Sequence, residues 1–190
     1  MDEKKKISRK DFFKFGFRKG KEEVVKTIQK KIPRIGIRPP GALPEEEFLA
    51  LCSRCDDCVS ACPHDSIFKP NFSSALAYGD TPFLDLKNKA CEYCDDMPCI
   101  TSCTTGALVN KPEYMRIGIA KFNEDHCLVA QGQYCDYCAK SCPSEFDALS
   151  MGDNKMPVID DVKCVGCGKC EYICTSQSGK ALEVHWFNNT

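Results

Sequence analysis

The sequence predicts a loop-rich α+β fold that is built from repeated cysteine-bearing units and preceded by a basic N-terminal arm. All sixteen cysteines fall into four groups of four, and each group ends in a C-x3-C step, which marks an internal repeat. Only 9% of the 190 residues are aromatic and regular periodic stretches are few, so side chains alone would not fill the interior. Charge divides the chain into a basic segment, residues 1–38, and an acidic body, residues 39–190.

The basic arm carries fourteen lysines and arginines against five acidic residues, a net charge of +9, whereas the body carries twelve against twenty-two, a net charge of −10. Apolar side chains recur in the arm at Val24, Val25, Ile28 and Ile32. This helical spacing predicts a short amphipathic helix that Pro33 ends. Such a helix suits docking on an acidic partner or a membrane surface, and it equally suits packing on the protein's own body.

The arm also contains ISRKDFFKF, residues 7–15, which is similar to a twin-arginine export signal with Lys10 in place of the second arginine. A working signal needs an apolar region next, but the residues that follow are charged throughout. No run of eighteen apolar residues occurs, and unpaired thiols suit a reducing compartment. We therefore expect a cytoplasmic protein, in which membrane association through the arm stays open, rather than an exported one.

The body is predicted to begin with an extended RPP approach, since Pro39 and Pro40 fix the backbone. A short helix should follow Pro44, with the glutamates of PEEEFLAL in its first turn, and it would deliver Cys52. The spacers between the cysteine quartets are 28, 23 and 21 residues long. Their apolar runs read as strands, as in IGIAKF, residues 117–122, and ALEVHWF, residues 181–187.

The four quartets are the main candidate site: Cys52, Cys55, Cys58, Cys62; Cys91, Cys94, Cys99, Cys103; Cys127, Cys135, Cys138, Cys142; Cys164, Cys167, Cys170, Cys174. Disulfide scaffolds belong to secreted chains and do not need three cysteines crowded into one loop. Zinc sites use separated cysteine or histidine pairs, and His64, His126 and His185 are too scattered to complete them. A [4Fe-4S] cube instead takes three thiolates from one short loop and a fourth from elsewhere.

The cube interpretation predicts that the cysteine after x3 is carried away on the start of a helix to serve a neighbouring site, so that sites occur in pairs. Strand, cysteine loop, helix and strand are the parts of a small two-cluster bacterial ferredoxin, and here they are present twice. Four bound clusters would supply much of the folding free energy. We therefore expect four [4Fe-4S] clusters held by all sixteen cysteines.

From Arg38 to the last quartet the chain resembles the MauM/NapG family of four-cluster ferredoxins. The resemblance rests on RPPGALPEEEFLALCSRCDDCVSACP, CEYCDDMPCITSC, CLVAQGQYCDYCAKSCP and CVGCGKCEYIC, including the unusual x4 and x7 spacings. That family accompanies periplasmic nitrate reductase and methylamine dehydrogenase systems. Two departures are the N-terminus, which is closer to the related cytoplasmic NapF proteins, and Thr104 and Thr175, which replace the proline kept at Pro63 and Pro143.

The resemblance also implies which cysteines share a cube, with the first and fourth quartets in one module and the second and third in the other. The implied sets are Cys52, Cys55, Cys58 with Cys174; Cys164, Cys167, Cys170 with Cys62; Cys91, Cys94, Cys99 with Cys142; and Cys127, Cys135, Cys138 with Cys103. Sequential pairing, first with second and third with fourth, is the alternative. Spacing alone does not separate the two.

With every cysteine used as a ligand, no iron corner stays open for a substrate, so we expect one-electron transfer and no enzyme activity of the chain itself. The resemblance implies a redox enzyme complex as partner, namely a molybdenum oxidoreductase of the nitrate reductase type. A maturation factor for such an enzyme is the alternative, and a redox sensor ranks third because no nucleic-acid-binding motif is present. Gly166 and Gly168 would let amides approach sulfur, or be plain turn glycines.

Four tyrosines lie beside ligand cysteines in the sequence: Tyr93, Tyr134, Tyr137 and Tyr172. We expect them to shield the clusters from water rather than to carry electrons.

Overall fold

The computed structural model describes residues 37–70 and 78–186. The chain divides into two units, residues 1–34 and 35–190, so the division falls a few residues before the boundary that charge predicts. Ile37 and Arg38, which the charge division gave to the arm, belong to the second unit, where Ile37 pairs with Leu84. The predicted arm helix lies outside the described residues.

The described elements are short and follow one another closely along the chain. In order they are α1 (Glu45–Leu51), α2 (Asp57–Ala61), β1 (Ile67–Phe68), β2 (Phe83–Leu84), α3 (Pro98–Thr101), α4 (Pro112–Met115), β3 (Gly118–Phe122), a 3-10 helix (Glu124–His126), α5 (Tyr137–Ser141), β4 (Leu149–Met151), β5 (Pro157–Ile159), α6 (Lys169–Ile173) and β6 (Leu182–Trp186). Helix α1 follows Pro44 as predicted, with three glutamates in its first turn. Among the described helices, none has the length and apolar character needed to cross a bilayer.

Three antiparallel strand pairs organise the second unit. β3 pairs with β6 from Gly118 opposite Trp186 to Phe122 opposite Leu182, which confirms the strands predicted in IGIAKF and ALEVHWF. β1 pairs with β2, and β4 pairs with β5. An isolated bridge joins Ala42 to Leu108 and closes the chain around the first two quartets. The β3–β6 pair closes the chain around the last two quartets.

Two apolar cores match these two closures. The first contains Phe48, Leu84 and Ile117, which are each at most 1% exposed, together with Cys91 and Cys99. The second is built around Leu149 and Leu182 and includes Cys164. We call residues 37–117 the first half and residues 118–186 the second half. Because cysteines are members of both cores, the candidate ligands are part of the packing and not appendages to it.

A buried arginine fixes the start of the first half. Arg38 is 2% exposed, and its Nη2 and Nε donate to Glu45 at 2.6 and 3.2 Å. Nη1 donates to the Thr81 hydroxyl and the Pro82 carbonyl, both at 2.8 Å, and the guanidinium stacks on Phe48 and Phe83 at 4.3 and 4.0 Å from their ring centroids. A planar, forked cation is the side chain that meets all of these partners together.

Candidate metal centres

A short helix begins one residue before the third cysteine of each quartet and ends before the fourth. The third cysteine is the second residue of its helix, and the fourth follows the helix end: Cys58 and Cys62 at α2, Cys99 and Cys103 at α3, Cys138 and Cys142 at α5, Cys170 and Cys174 at α6. The expectation that the fourth cysteine begins a helix is therefore wrong. A five-residue helix rises roughly 1.5 Å per residue, and this rise separates the fourth thiol from the other three.

Left-handed backbone turns shape the cysteine loops before these helices. Arg54, Tyr93 and Gly166 each stand just before the second cysteine of a quartet, with φ of 62°, 56° and 75°. Alternating handedness of this kind turns successive amide N–H groups towards one side and forms a concave site for anions. At Gly166 a side chain is also excluded by space, because a Cβ there would lie 2.5 Å from the Gly118 backbone nitrogen.

Gly168 has the same two requirements, with a φ of 79° and an ideal Cβ 2.7 Å from the Cβ of Leu86. Both glycines thus serve left-handed turns and close packing. The expected amide approach of these two residues to sulfur is not among the hydrogen bonds of the described residues.

A cavity in the first half is lined by the first three cysteines of quartet one and the last cysteine of quartet two. Its lining residues surround about 370 Å³ of space, part of which is open solvent. Its cysteines are Cys52, Cys55, Cys58 and Cys103. Phe48, Val59 and Leu108 supply an apolar wall, and Cys55 is the exposed member of the set.

A matching cavity lies in the second half, where the lining residues surround about 390 Å³ of space that includes open solvent. Its cysteines are Cys142, Cys164, Cys167 and Cys170. Phe146, Ile159 and Val184 contribute apolar surface, and Gly166 and Gly168 line the same space. Both cavities therefore combine four thiols, three from one loop and one from the preceding or following quartet, with apolar walls. This donor set fits a [4Fe-4S] cube.

The electrostatic surroundings of Cys99 and Cys94 include Cys62 of the first quartet, whereas those of Cys138 include cysteines of its own loop. Burial raises the pKa of Cys99 to about 11, and the next cause of that shift is the thiol of Cys62. Cys62 also contributes to the raised pKa of Cys94 after burial. In the second half, burial and then the charges of Cys135 and Cys127 raise the pKa of Cys138 to about 11, with opposition from the Ala139 amide.

The cavity linings differ from the pairing that the family resemblance implies. Cys103, and not Cys174, lines the cavity with Cys52, Cys55 and Cys58, and Cys142, and not Cys62, lines the cavity of the last quartet. The physical reason is chain closure. The Ala42–Leu108 bridge encloses quartets one and two, and the β3–β6 pair encloses quartets three and four.

Backbone amides support the cysteine sulfurs. The N–H groups of Ser66, Leu108 and Ala181 donate to Cys62, Cys103 and Cys174, each at 3.4 Å. Ala120 donates to Cys164 at 3.5 Å. Amide hydrogen bonds to ligand sulfur stabilise negative charge there and are one means by which a protein sets the potential of a cluster.

The thiols differ in how strongly the fold resists their ionisation. Burial raises the pKa of Cys58 to about 12, with Cys52 and Cys103 adding repulsion, and burial raises the pKa of Cys91 to about 12. At Cys103 burial acts in the same direction, but hydrogen bonds from the Leu108 amide and the Thr105 hydroxyl prevail and lower the pKa. Ligation by a metal requires thiolate, so cluster assembly must release protons from the buried cysteines.

Within the parts of the chain that the structure describes, no three His, Cys, Asp or Glu side chains converge closely enough to hold a single metal ion.

The four tyrosines next to ligand cysteines differ in their exposure. Tyr93 is half-buried, and its hydroxyl donates to the Met115 carbonyl at 2.6 Å. Tyr134 is 82% exposed, and Tyr137 and Tyr172 are 54% and 49% exposed, so shielding from water suits Tyr93 best.

Sequence reasoning missed a set of contacts between the two halves. Glu92 pairs with Lys169 at 2.7 Å, the Tyr93 ring meets the Phe146 ring edge-on with centroids 5.1 Å apart, and the Arg116 guanidinium donates to the Cys164 carbonyl at 2.8 and 3.0 Å. Each contact joins residues far apart in sequence, and no local pattern marks them.

The fold and the two four-thiol cavities define a ferredoxin-like class of protein, and comparison with known proteins agrees. The chain is 35% identical over 154 residues to the ferredoxin-type protein NapG of Escherichia coli K12, covering 74% of this chain and 66% of that protein. It is 36% identical over 149 residues to the methylamine utilization ferredoxin-type protein MauM of Methylorubrum extorquens, covering 73% and 67%. Ferredoxin-type protein NapF of Escherichia coli K12 is 28% identical over 153 residues, covering 79% and 87%.

The chain belongs to the MauM/NapG family of ferredoxin-type, iron–sulfur proteins. It spans about two thirds of the length of the curated NapG and MauM relatives that it matches. No family model matches the sequence. No solved structure matches it.

Proposed function

We propose that this protein carries four [4Fe-4S] clusters and transfers single electrons to or from a redox enzyme complex, without enzyme activity of its own. The observation that carries the proposal is the pair of cavities, each lined by three cysteines of one loop and one cysteine of the adjoining quartet. A bound [4Fe-4S] cube takes up and releases one electron at a time. With all sixteen cysteines as ligands, no iron corner is left for a substrate.

We further propose how the cysteines share the four cubes, with two cubes in each ferredoxin-like half. The sets are Cys52, Cys55, Cys58 with Cys103; Cys91, Cys94, Cys99 with Cys62; Cys127, Cys135, Cys138 with Cys174; and Cys164, Cys167, Cys170 with Cys142. Cavity linings support the first and last sets. The proximity of Cys62 to Cys99 and Cys94 supports the second. The third set takes Cys174 because the other fourth cysteines are already assigned, and because the β3–β6 pair encloses Cys174 together with Cys127, Cys135 and Cys138.

The chain's own residues control the environment of the bound clusters. Amides of Ser66, Leu108 and Ala181 donate to ligand sulfurs, which favours the more reduced, more negative state. Apolar walls such as Phe48 and Phe146 exclude water and act in the opposite direction, because a low dielectric penalises added charge. The balance of the two sets each potential.

As the partner we propose a molybdenum oxidoreductase of the nitrate reductase type, on the ground of the NapG relatives. The sixteen thiols, none in a disulfide among the described residues, support action in a reducing compartment such as the cytoplasm. The net charge of +9 in residues 1–38 supports docking of that segment on an acidic partner surface or membrane.

The test of the proposed function is iron and acid-labile sulfide per chain on anaerobically purified protein, followed by EPR during a redox titration. We expect about sixteen of each and spin coupling between reduced clusters. Zinc in place of iron, or clusters that do not reduce reversibly, would overturn the proposal.

A maturation factor for the same class of enzyme is the second candidate, supported by the similarity to NapF. The two functions predict different effects on the turnover of the partner enzyme. An electron carrier must be reoxidised by the active enzyme at a rate that keeps pace with catalysis, whereas a maturation factor binds the cofactor-free enzyme and has no effect on the turnover of the finished one.

A further inference from the structure

Three consecutive residues in the cysteine loop of the second quartet each contact the opposite half of the molecule. The Cys91 N–H donates to the Cys167 carbonyl at 2.9 Å. The Glu92 carboxylate pairs with the Lys169 ammonium at 2.7 Å, and the Tyr93 ring packs edge-on against Phe146, with centroids 5.1 Å apart and an interplanar angle of 84°. We call residues 91–93 and their partners Phe146, Cys167 and Lys169 the junction.

We infer that the junction is the place where electrons cross between the two halves, through the backbone hydrogen bond from Cys91 to Cys167 and the Tyr93–Phe146 ring pair beside it. This inference rests on the proposed function. Both ends of the hydrogen bond belong to candidate ligand residues: Cys91 of the proposed Cys91, Cys94, Cys99, Cys62 site, and Cys167 of the proposed Cys164, Cys167, Cys170, Cys142 site.

The order of the sites follows from this placement. The Cys52, Cys55, Cys58, Cys103 site and the Cys127, Cys135, Cys138, Cys174 site contribute no residue to the junction, so they form the two ends of the path. The sites of Cys91 and Cys167 form its middle. In each crossing step one site loses one electron and the other gains it, and no proton or bond is exchanged.

The ring pair links the two apolar cores across the junction and fixes the distance between them there. Phe146 lines the cavity of Cys164, Cys167 and Cys170 and packs on the second core, whereas Tyr93 packs on the first core. The Tyr93 hydroxyl is held by the Met115 carbonyl at 2.6 Å.

The neighbouring contacts hold the same interface. Ile117 donates its N–H to the Val165 carbonyl at 2.8 Å, and a Cβ on Gly166 would lie 2.5 Å from the Gly118 nitrogen. The close backbone approach keeps Cys91 and Cys167 in register. Tyr93 and Phe146 are therefore positioning residues for electron transfer, since displacement of reacting groups by an ångström costs rate steeply.

The experiment uses the full, cluster-loaded chain, mixed anaerobically with less than one equivalent of dithionite and frozen at successive times for EPR. The measured quantity is the rate at which the electron distribution reaches its equilibrium form. We expect Tyr93→Leu and Phe146→Leu to slow this rate by about tenfold or more while iron content and the equilibrium spectrum stay as in the wild type. Tyr93→Phe, which keeps the ring, should stay close to the wild-type rate.

Phe68→Leu is the matched control, because Phe68 forms a ring pair with Phe83 at 6.4 Å wholly inside the first half. It should leave the redistribution rate unchanged. If a leucine variant fails to load iron, the half-exposed ion pair gives the same test: Glu92→Lys and Lys169→Glu should each slow redistribution, and the double exchange should restore it.

Wild-type rates in Tyr93→Leu and Phe146→Leu, or in both single charge variants, would overturn the junction. A failure of the proposed function looks different, because the wild type itself would then lack reducible iron.

Discussion

At the scale of single residues, the pKa of Cys103 is lowered, whereas the pKa of Cys58 in the same cavity is raised. Its sulfur accepts hydrogen bonds from the Leu108 amide and the Thr105 hydroxyl, and their combined effect exceeds that of burial. Cys58, in the same cavity, has its pKa raised to about 12 by burial and by the neighbouring thiols. As pH rises, Cys103 is therefore expected to lose its proton before Cys58, although both residues line the same cavity.

This difference predicts the order of alkylation in iron-free protein, prepared under conditions in which circular dichroism shows that it keeps its fold. As pH rises, Cys103 forms thiolate below the ordinary thiol range, whereas Cys58 keeps its proton until far above it, and only the thiolate reacts. Iodoacetamide labelling across a pH series, read by peptide mass spectrometry, should show Cys103 modified at lower pH than Cys58. The urea-unfolded protein is the control, in which both should label alike. Equal labelling of the folded protein would contradict the assigned environments.

At the scale of elements, the contact between Arg38 and α1 determines how the first half begins. The Arg38–Glu45 pair is 2% and 20% exposed at its two side chains, and Phe48 of α1 is fully buried beneath the guanidinium. Phe48 and Pro82, both contacted by Arg38, also line the cavity of Cys52, Cys55 and Cys58. The arginine thus supports the wall of a candidate cluster site.

Arg38→Met should destabilise the cluster-loaded protein by about 3 kcal/mol, because it leaves a largely buried Glu45 without its counter-charge. The matched control is Lys87→Met, which removes the exposed Lys87–Glu183 pair and should cost less than about 1 kcal/mol. The measurement is loss of cluster absorbance during anaerobic guanidinium titration. An equal effect of the two variants would show that burial of Arg38 contributes nothing.

The turn before Cys167 gives a second prediction at this scale. Gly166→Ala places a methyl group 2.5 Å from the Gly118 nitrogen at a φ of 75°. Gly132→Ala has a similar φ of 81° with nothing within 4 Å. The second variant should cost about 1 kcal/mol for left-handed backbone alone, and the first about 1–3 kcal/mol more for overpacking.

Thermal loss of iron from the two alanine variants, compared with the wild type, measures this difference. If Gly166→Ala retains iron as well as Gly132→Ala does, the close approach of the two backbones is not a constraint on the fold.

At the scale of the whole molecule, the sequence predicted some levels of structure and not others. The four quartets, helix α1 and the strands Gly118–Phe122 and Leu182–Trp186 followed from local spacing and periodicity. The partner of each fourth cysteine did not, because it depends on which strands close the chain. Ala42–Leu108 and β3–β6 are such closures, and each joins residues sixty or more positions apart.

The position of the helix in each quartet was also predicted wrongly, in this case because the local spacing is ambiguous. The C-x3-C step fits a helix that ends before the second cysteine equally with one that starts at it, and the structure has the former, with Cys58 in the helix and Cys62 just after its end. Contacts between the halves, such as Tyr93 with Phe146, were not predictable from one sequence, because nothing in either local stretch specifies the other.

The most direct test of the account is the iron content of two double variants. We predict that Cys55→Ser with Cys103→Ser disables one site and leaves about twelve iron atoms per chain, whereas Cys55→Ser with Cys174→Ser disables two sites and leaves about eight. The reverse result, twelve with Cys174 and eight with Cys103, would contradict the sequential pairing and restore the arrangement that the family resemblance implied.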